Sequence, residues 1–341
     1  MKWVLRVSLA LVAVLVVLFL VFRTPDTDRQ AMRAKYGGEP SQFVEIGDGT
    51  VVHLRDTGPR GGLPIVLLHG SNSDLHTWDE WAAGLEETYR VIRFDQVGHG
   101  LTGPDPGADY SRANYTADIR EVADALGLDA FVIGGNSMGG KHALAFAAAH
   151  PERVLGLVLV DASGGPMLRE EIEQESGDDA DGDDTDGDVG GSGNIGFAIA
   201  QMPGINRIVT QVTPRSLIES SLDQSVSVKS VVTDEMIDRY WELLRYPGNR
   251  LATLERFSGE YDPLTEAQIT RIDAPALIIW GAKDRLIPLA AGRWLEEAMP
   301  STTLVAYEGV GHLPQKEVAR RSLAAVREWL DARDFAASGA K

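Results

Sequence analysis

Ser137 lies in the pentapeptide GNSMG (residues 135–139), which follows the apolar run AFVIG and precedes KHALAFAAAH, a stretch with helical character. A serine hydroxyl is a weak nucleophile, so it needs exposure, a nearby base and backbone donors for the developing oxyanion. A sharp turn from strand to helix meets these needs, and flanking glycines let the two elements pass closely. The pattern Gly-x-Ser-x-Gly therefore predicts a nucleophile at Ser137.

A base and an acid would complete this chemistry, and they are expected after the serine, acid first and histidine second. Asp284 lies in WGAKDRLIP and His312 in YEGVGHLPQKE, each just past an apolar run. We predict that His312 accepts the proton of Ser137 and that Asp284 orients the imidazole and stabilises its charged form. Asp161 directly follows the apolar run VLGLVLV and stays an alternative acid.

The oxyanion of an acyl-transfer reaction needs two N–H donors. The backbone N–H of Met138 follows the predicted nucleophile at the start of a helix and is the first candidate. The second is expected in the loop after PIVLLHG, where Ser71 is the predicted donor and His69 and Gly70 shape the loop. Met138 and Ser71 thus form the predicted oxyanion hole.

The elements around these residues predict an α/β fold. A hairpin pattern surrounds GDG, and further apolar runs alternate with amphipathic helices, as in a parallel sheet with crossover helices. The alternation stops between residues 162 and 272, where an acidic stretch and a helical region intervene. We predict a mostly parallel central sheet flanked by helices, with a helical cap inserted between strands 6 and 7.

The predicted organisation has seven segments. They are a transmembrane anchor (1–22), a linker (23–41), the first part of the core (42–165), an acidic low-complexity loop (166–195), a helical cap (196–271), the second part of the core (272–334) and a tail (335–341).

The segment from Trp3 to Phe22 is apolar except for Arg6 and Ser8. At 1.5 Å per residue it spans roughly 30 Å, the thickness of the hydrocarbon core of a bilayer. A cleaved signal peptide usually has a shorter apolar region and a small-x-small cleavage site, which FRTPDTDRQ does not offer. We predict a single-pass anchor with the amino terminus inside and the domain on the extracytoplasmic side, with a signal peptide and a buried helix as alternatives.

Composition excludes some function classes. The net charge of −18 argues against nucleic acid as a partner, and the absence of cysteine excludes disulfides and thiolate chemistry. In the acidic stretch, Asp179, Asp181 and Asp183 match the first ligands of a calcium loop, but Asp184 stands where such a loop needs glycine. A solvated loop is the favoured interpretation. No metal or cofactor is expected.

Several motifs together resemble the α/β-hydrolase family over about residues 42–330. They are LLHGSNSDLHTW, FDQVGHGLTGP, GGNSMGGKHAL, AHPERV, WGAKDRLIP and GVGHLPQKE. The resemblance implies the fold, a serine nucleophile and the same roles for Ser137, Asp284, His312, Met138 and Ser71. Within the family, a serine in the elbow speaks against epoxide hydrolases and haloalkane dehalogenases, which use an aspartate there.

The predicted function is hydrolysis of a small, apolar carboxylic ester through an acyl-enzyme. Carbon–carbon hydrolases of ring-cleavage products share GNSMGG and remain the alternative, although HGSNSD and Leu313 after His312 depart from their pattern. A hydrolase-like protein that binds a ligand without turnover is a more distant alternative.

Overall fold

The computed structural model describes residues 2–47, 49–165, 211–259, 262–333 and residue 335. Eight strands lie in the described part of the chain. They are β1 (Ser41–Glu45), β2 (Val51–Thr57), β3 (Pro64–Leu68), β4 (Arg90–Phe94), β5 (Phe131–Asn136), β6 (Val154–Val160), β7 (Ala276–Gly281) and β8 (Thr302–Tyr307).

These strands form one sheet in the order β1-β2-β4-β3-β5-β6-β7-β8. Strands β1 and β2 pair in antiparallel register as the predicted hairpin, and β2 also pairs antiparallel with β4. The pairs from β4 through β3, β5, β6 and β7 to β8 are parallel. The predicted mostly parallel sheet is therefore confirmed, and the carboxyl ends of β5, β7 and β8 lie at the same edge.

Twelve α-helices lie in the described residues. They are α1 (Lys2–Phe22), α2 (Arg29–Tyr36), α3 (Asp79–Leu85), α4 (Arg112–Ala125), α5 (Met138–Ala149), α6 (Arg215–Ser225), α7 (Asp234–Leu244), α8 (Asn249–Ser258), α9 (Glu266–Ile269), α10 (Leu289–Ala298), α11 (Pro314–Glu317) and α12 (Ala319–Asp331).

The sheet has a hydrophobic layer on each face. Successive side chains of a strand point to opposite faces, so Ile65 and Leu67 of β3 join one layer while Val66 and Leu68 join the other. Helices α3 and α12 cover the first face, and α4, α5 and α10 cover the second. The buried strand residues explain the uninterrupted apolar runs in the sequence, because both faces of the sheet are covered.

Helices α6 to α9 lie between β6 and β7, which confirms the predicted helical insertion at this position. Helices α6 and α7 share an apolar cluster with Leu313, a residue that follows β8. The cap therefore packs directly over the carboxyl edge of the sheet. The acidic loop and its calcium hypothesis at Asp179, Asp181 and Asp183 lie outside the described residues, and the bounds of the loop and cap stay predictions.

Helix α1 contains an 18-residue apolar window, Leu5–Phe22, with a mean hydropathy of 2.9 and no buried residue. By length and composition it could cross a membrane, and a signal sequence has the same properties.

Part of the segment predicted as a linker, residues 23–41, is a helix that packs against the cap. Asp28 caps helix α2 by accepting from the N–H of Ala31, and Met32 of α2 is buried against the cap residues Leu243 and Tyr246. The sequence does not reveal this packing because the two partners are some two hundred residues apart. Helix α2 is thus part of the folded body and contacts the cap.

Candidate active site

Ser137 occupies the turn between β5 and α5. Its backbone has φ 53° and ψ −119°, a conformation that residues with a side chain rarely adopt. Hydrogen bonds hold this strained turn: its N–H donates to the carbonyl of Val160 over 3.0 Å, and its carbonyl accepts from Ser163 and Lys141. Strain of this kind persists only where surrounding structure fixes it, and it is frequent at active sites.

The glycines of the elbow are needed because backbone segments pass very close to them. A Cβ added to Gly135 would lie 2.2 Å from the carbonyl carbon of Gly139, and one on Gly139 would lie 2.2 Å from the carbonyl oxygen of Leu68. Real Cβ atoms do not come this close to backbone, so strand and helix could not pass with larger residues. The sequence argument for these glycines is confirmed by this geometry.

His312 and Asp284 form a buried hydrogen-bonded pair. Nδ1 of His312 lies 2.7 Å from Oδ2 of Asp284. The other oxygen of Asp284 accepts from the N–H groups of Leu286 and Ile287, so the carboxylate is held on both sides. Because a carboxylate accepts hydrogen bonds, Nδ1 carries the proton and Nε2 is the nitrogen available to a further partner.

Asp161, the alternative acid, lies beside this pair. Ligating atoms of Asp161, Asp284 and His312 lie within 4.8 Å of one another. Oδ1 of Asp161 accepts from the N–H of Gly281, while burial and, next, the charge of Asp284 raise its pKa well above the ordinary value. Asp161 is therefore disposed to be neutral. Two carboxyls and an imidazole could also hold a metal ion, but the 2.7 Å pair already engages two of the three groups.

Ser137 and His312 line the same cavity, which has a volume of about 230 Å³. Helices α6 and α7 contribute both apolar side chains and hydroxyls to the wall, namely Ile218, Leu222, Leu244, Ser221, Ser225 and Tyr240. The Tyr240 hydroxyl is hydrogen-bonded to Ser73 over 2.8 Å. Leu286 and Phe257 line the cavity and are about half exposed, so they form its rim. No Lys, Arg, Asp or Glu side chain lines this cavity within the described ranges of the chain.

The predicted oxyanion residues lie next to the serine. Met138 is the first residue of α5, and Ser71 lines the cavity together with Gly70 and Ser137. His69 supports the loop: Nδ1 donates to the carbonyl of Gly70, and Nε2 accepts from the N–H of Gln96. Burial lowers the pKa of His69, in keeping with a neutral ring that accepts at Nε2.

A family model described as the α/β hydrolase fold matches residues 64–318, well over half of the 341 residues. The chain belongs to the α/β hydrolase fold family. The match begins at β3 and ends beyond His312, so it contains every predicted site residue of this hydrolase.

Known proteins similar to this α/β hydrolase differ in the activity that their names give. A 2-hydroxy-6-oxononadienedioate/2-hydroxy-6-oxononatrienedioate hydrolase of Pseudomonas putida is 28% identical over 293 residues, which cover 82% of this chain and 92% of the relative. A meta-cleavage product hydrolase from Pseudomonas fluorescens IP01 superposes with a TM-score of 0.68 at 24% identity, covering 86% and 98% of the two chains. A thermophilic esterase from Thermogutta terrifontis superposes with a TM-score of 0.66 at 26% identity, covering 85% and 98%.

Two residues that hold the histidine loop of this hydrolase by hydrogen bonds were not predicted from the sequence. The Asn136 amide donates to the carbonyls of His312 and Val160, which ties the histidine loop to the elbow. The Glu317 carboxylate accepts from the N–H groups on both sides of His312 and from those of Ser227 and Val228, which follow α6. Asn136 stood inside the elbow motif, but nothing in the spacing of Glu317 indicated its contacts.

Proposed function

We propose that this α/β hydrolase is a serine hydrolase with Ser137 as nucleophile, His312 as general base and Asp284 as the orienting acid. One observation carries the proposal. The buried His312–Asp284 pair opens on the same cavity as the strained elbow that presents Ser137. A strained serine, a histidine and a carboxylate brought together from three separate loops are the parts that acyl transfer requires.

In the proposed reaction, Oγ of Ser137 attacks the substrate carbonyl while its proton passes to Nε2 of His312. The backbone N–H groups of Met138 and Ser71 donate to the resulting oxyanion. The bond to the leaving group then breaks, and His312 returns the proton to the leaving oxygen. Water attacks the acyl-enzyme by the reverse sequence, so the acid is released and Ser137 recovers its proton.

The substrate of first choice is a carboxylic ester with an apolar acyl group. The cavity of about 230 Å³ has isoleucine and leucine side chains as well as hydroxyls on its cap side, and its rim is apolar. Within the part of the chain that the structure describes, no charged side chain lines the cavity, and the Arg256 guanidinium donates to Ser71 and Asn72 behind the lining, so a substrate carboxylate would have no direct ionic partner there. Burying an unpaired charge is expensive, whereas an uncharged acyl chain gains from burial.

The second candidate is hydrolysis of a carbon–carbon bond in a vinylogous diketone. The names of the curated relatives favour it over the ester, since those with dienoate and dienedioate substrates are 28–29% identical over 82–85% of this chain. The reaction would use the same serine and histidine, and the leaving group would be a carbon rather than an oxygen. Cavity lining supports the first candidate and sequence relatives support the second.

The proposal also includes attachment to a membrane through α1. Its apolar window and the absence of buried residues in it support a bilayer helix. The proposal places the catalytic domain on the extracytoplasmic side of that bilayer. The bilayer and a small-molecule ester are the proposed partners.

A substrate panel on the full chain in detergent tests the proposal. It contains aryl esters of increasing acyl length and one vinylogous diketone, assayed with wild type and Ser137→Ala. We expect Ser137-dependent ester turnover that exceeds diketone turnover in kcat/KM. The reverse order would establish the second candidate, and ligand binding without any Ser137-dependent turnover would indicate a binding protein and contradict the proposal.

A further inference from the structure

Arg256 of the cap helix α8 reaches the two residues of the predicted oxyanion hole. Its Nη1 donates to Oγ of Ser71 over 2.9 Å and lies 3.3 Å from Sδ of Met138. Its Nη2 donates to Oδ1 of Asn72 over 3.1 Å and to Oγ1 of Thr253 over 3.2 Å. One guanidinium therefore connects the cap, the loop after β3 and the first residue of α5.

Among the described residues, Arg256 lacks a carboxylate partner, as does Arg245 of the cap, whose acceptors are the carbonyls of Trp241 and Pro25. Arg239 pairs with Asp74 and Arg250 with Asp26, whereas no carboxylate lies within 4.0 Å of Arg256 in the described residues. All its acceptors are neutral, its Nε is buried without a partner, and burial lowers its pKa. A largely buried cation without a counter-charge favours negative charge that develops nearby.

We propose that Arg256 is a positioning residue that assembles the oxyanion hole when the cap is seated on the core. Arg256 fixes the Ser71–Asn72 loop against α5. Its positive charge also stabilises the oxyanion electrostatically, without a direct hydrogen bond, while the backbone N–H groups donate to that oxygen. This inference rests on the proposed function, because it assigns a role in that same reaction.

We expect Arg256 to stabilise the transition state more strongly than the bound substrate. The substrate carbonyl is neutral when it binds, and full negative charge appears on its oxygen only during attack. Arg256 is not among the residues that line the cavity and lies behind Ser71 and Asn72, so we expect it to contribute little to binding of the neutral substrate. Its removal should therefore lower kcat and leave KM nearly unchanged.

The test compares Arg256→Met, Arg256→Gln and Arg256→Lys with wild type, on an ester that wild type turns over and on fluorophosphonate labelling of Ser137. Removing one direct oxyanion donor lowers kcat by about 10²–10³-fold, so an indirect residue should lower it by about 10–100-fold. We expect this loss in the Met and Gln variants, with KM within about threefold, a matching loss of labelling rate and a smaller loss in the Lys variant. Arg215→Met, which removes a cap arginine paired with Asp234 and Asp238, is the matched control and should retain wild-type kcat.

A double variant separates positioning from general loss of cap structure. Ser71→Ala should lower kcat less in the Arg256→Met background than in wild type, because both changes remove the same hydrogen bond. The inference is overturned if Arg256→Met and Arg256→Gln retain kcat, or if their loss is confined to KM. It is also overturned if kcat falls as much in Arg256→Lys as in Arg256→Met. If wild type itself lacks Ser137-dependent turnover, the proposed function has failed instead.

Discussion

Nδ1 of His312 lies 2.7 Å from Oδ2 of Asp284, while Asp161 lies beside both with its own oxygen bonded to the N–H of Gly281. Two carboxyls at the ends of neighbouring strands thus have different environments. Asp284 is held by the imidazole and two backbone N–H groups, and Asp161 is fully buried with a raised pKa. This difference favours Asp284 as the orienting acid and a neutral state for Asp161.

The Asp284→Asn variant should lose kcat by about three to four orders of magnitude with the fold retained, since loss of an orienting carboxylate costs about 10⁴ elsewhere. The Asp161→Asn variant should lose far less kcat, because Asp161 is not the hydrogen-bond partner of His312 Nδ1. Steady-state kinetics with thermal unfolding on both variants check this. Reversed results in folded protein would assign the acid to Asp161.

The stability of wild type relative to Asp161→Asn should depend on pH. A carboxyl whose pKa is raised by folding stabilises the fold fully below its unfolded pKa, and this contribution is lost as pH rises towards the folded pKa. Asn does not titrate, so the variant should gain stability relative to wild type as the pH rises above about 4, the ordinary pKa of an unfolded aspartate. Urea unfolding across this range measures the difference; a difference independent of pH would contradict a raised pKa.

Local sequence predicted the positions of the site residues better than the contacts that hold these residues in place. The elbow glycines and the positions of Asp284 and His312 followed from strand ends and turn requirements, which short motifs encode. The contacts of Glu317 and Arg256 depend on how the cap lies over the core, and no local pattern encodes that. The packing of Met32 against α7 was not predicted for the same reason, since an eight-residue polar helix after a long apolar segment resembles a linker.

Removing residues 1–22 should give a soluble chain with the stability of the full domain, whereas removing residues 1–37 should not. The longer deletion removes buried Met32 and the contacts of Thr24 and Asp26 with the cap. Loss of a buried methionine alone costs about 1.5–3 kcal/mol. Chemical unfolding of the two truncations provides the comparison, and equal stabilities would show that α2 contributes nothing to the domain.

Glu317→Gln should destabilise the domain and lower kcat, because the carboxylate accepts the N–H groups of Gly311 and Leu313 and of the residues after α6. A hydrogen bond to a charged group contributes about 1.5–3 kcal/mol, so a loss of about 2 kcal/mol in unfolding free energy is expected. Glu308→Gln, at an exposed position, is the control. Unchanged stability and kcat in Glu317→Gln would refute this role.

The central claim is that Ser137 is a nucleophile activated by His312. Mass spectrometry of the full chain after reaction with a fluorophosphonate tests it most directly, with Ser137→Ala and His312→Ala treated in parallel. We expect one adduct on the peptide that contains Ser137 in wild type, no adduct in Ser137→Ala and labelling slowed by at least about a hundredfold in His312→Ala. An unlabelled Ser137 in folded wild type, or labelling that does not depend on His312, would contradict it.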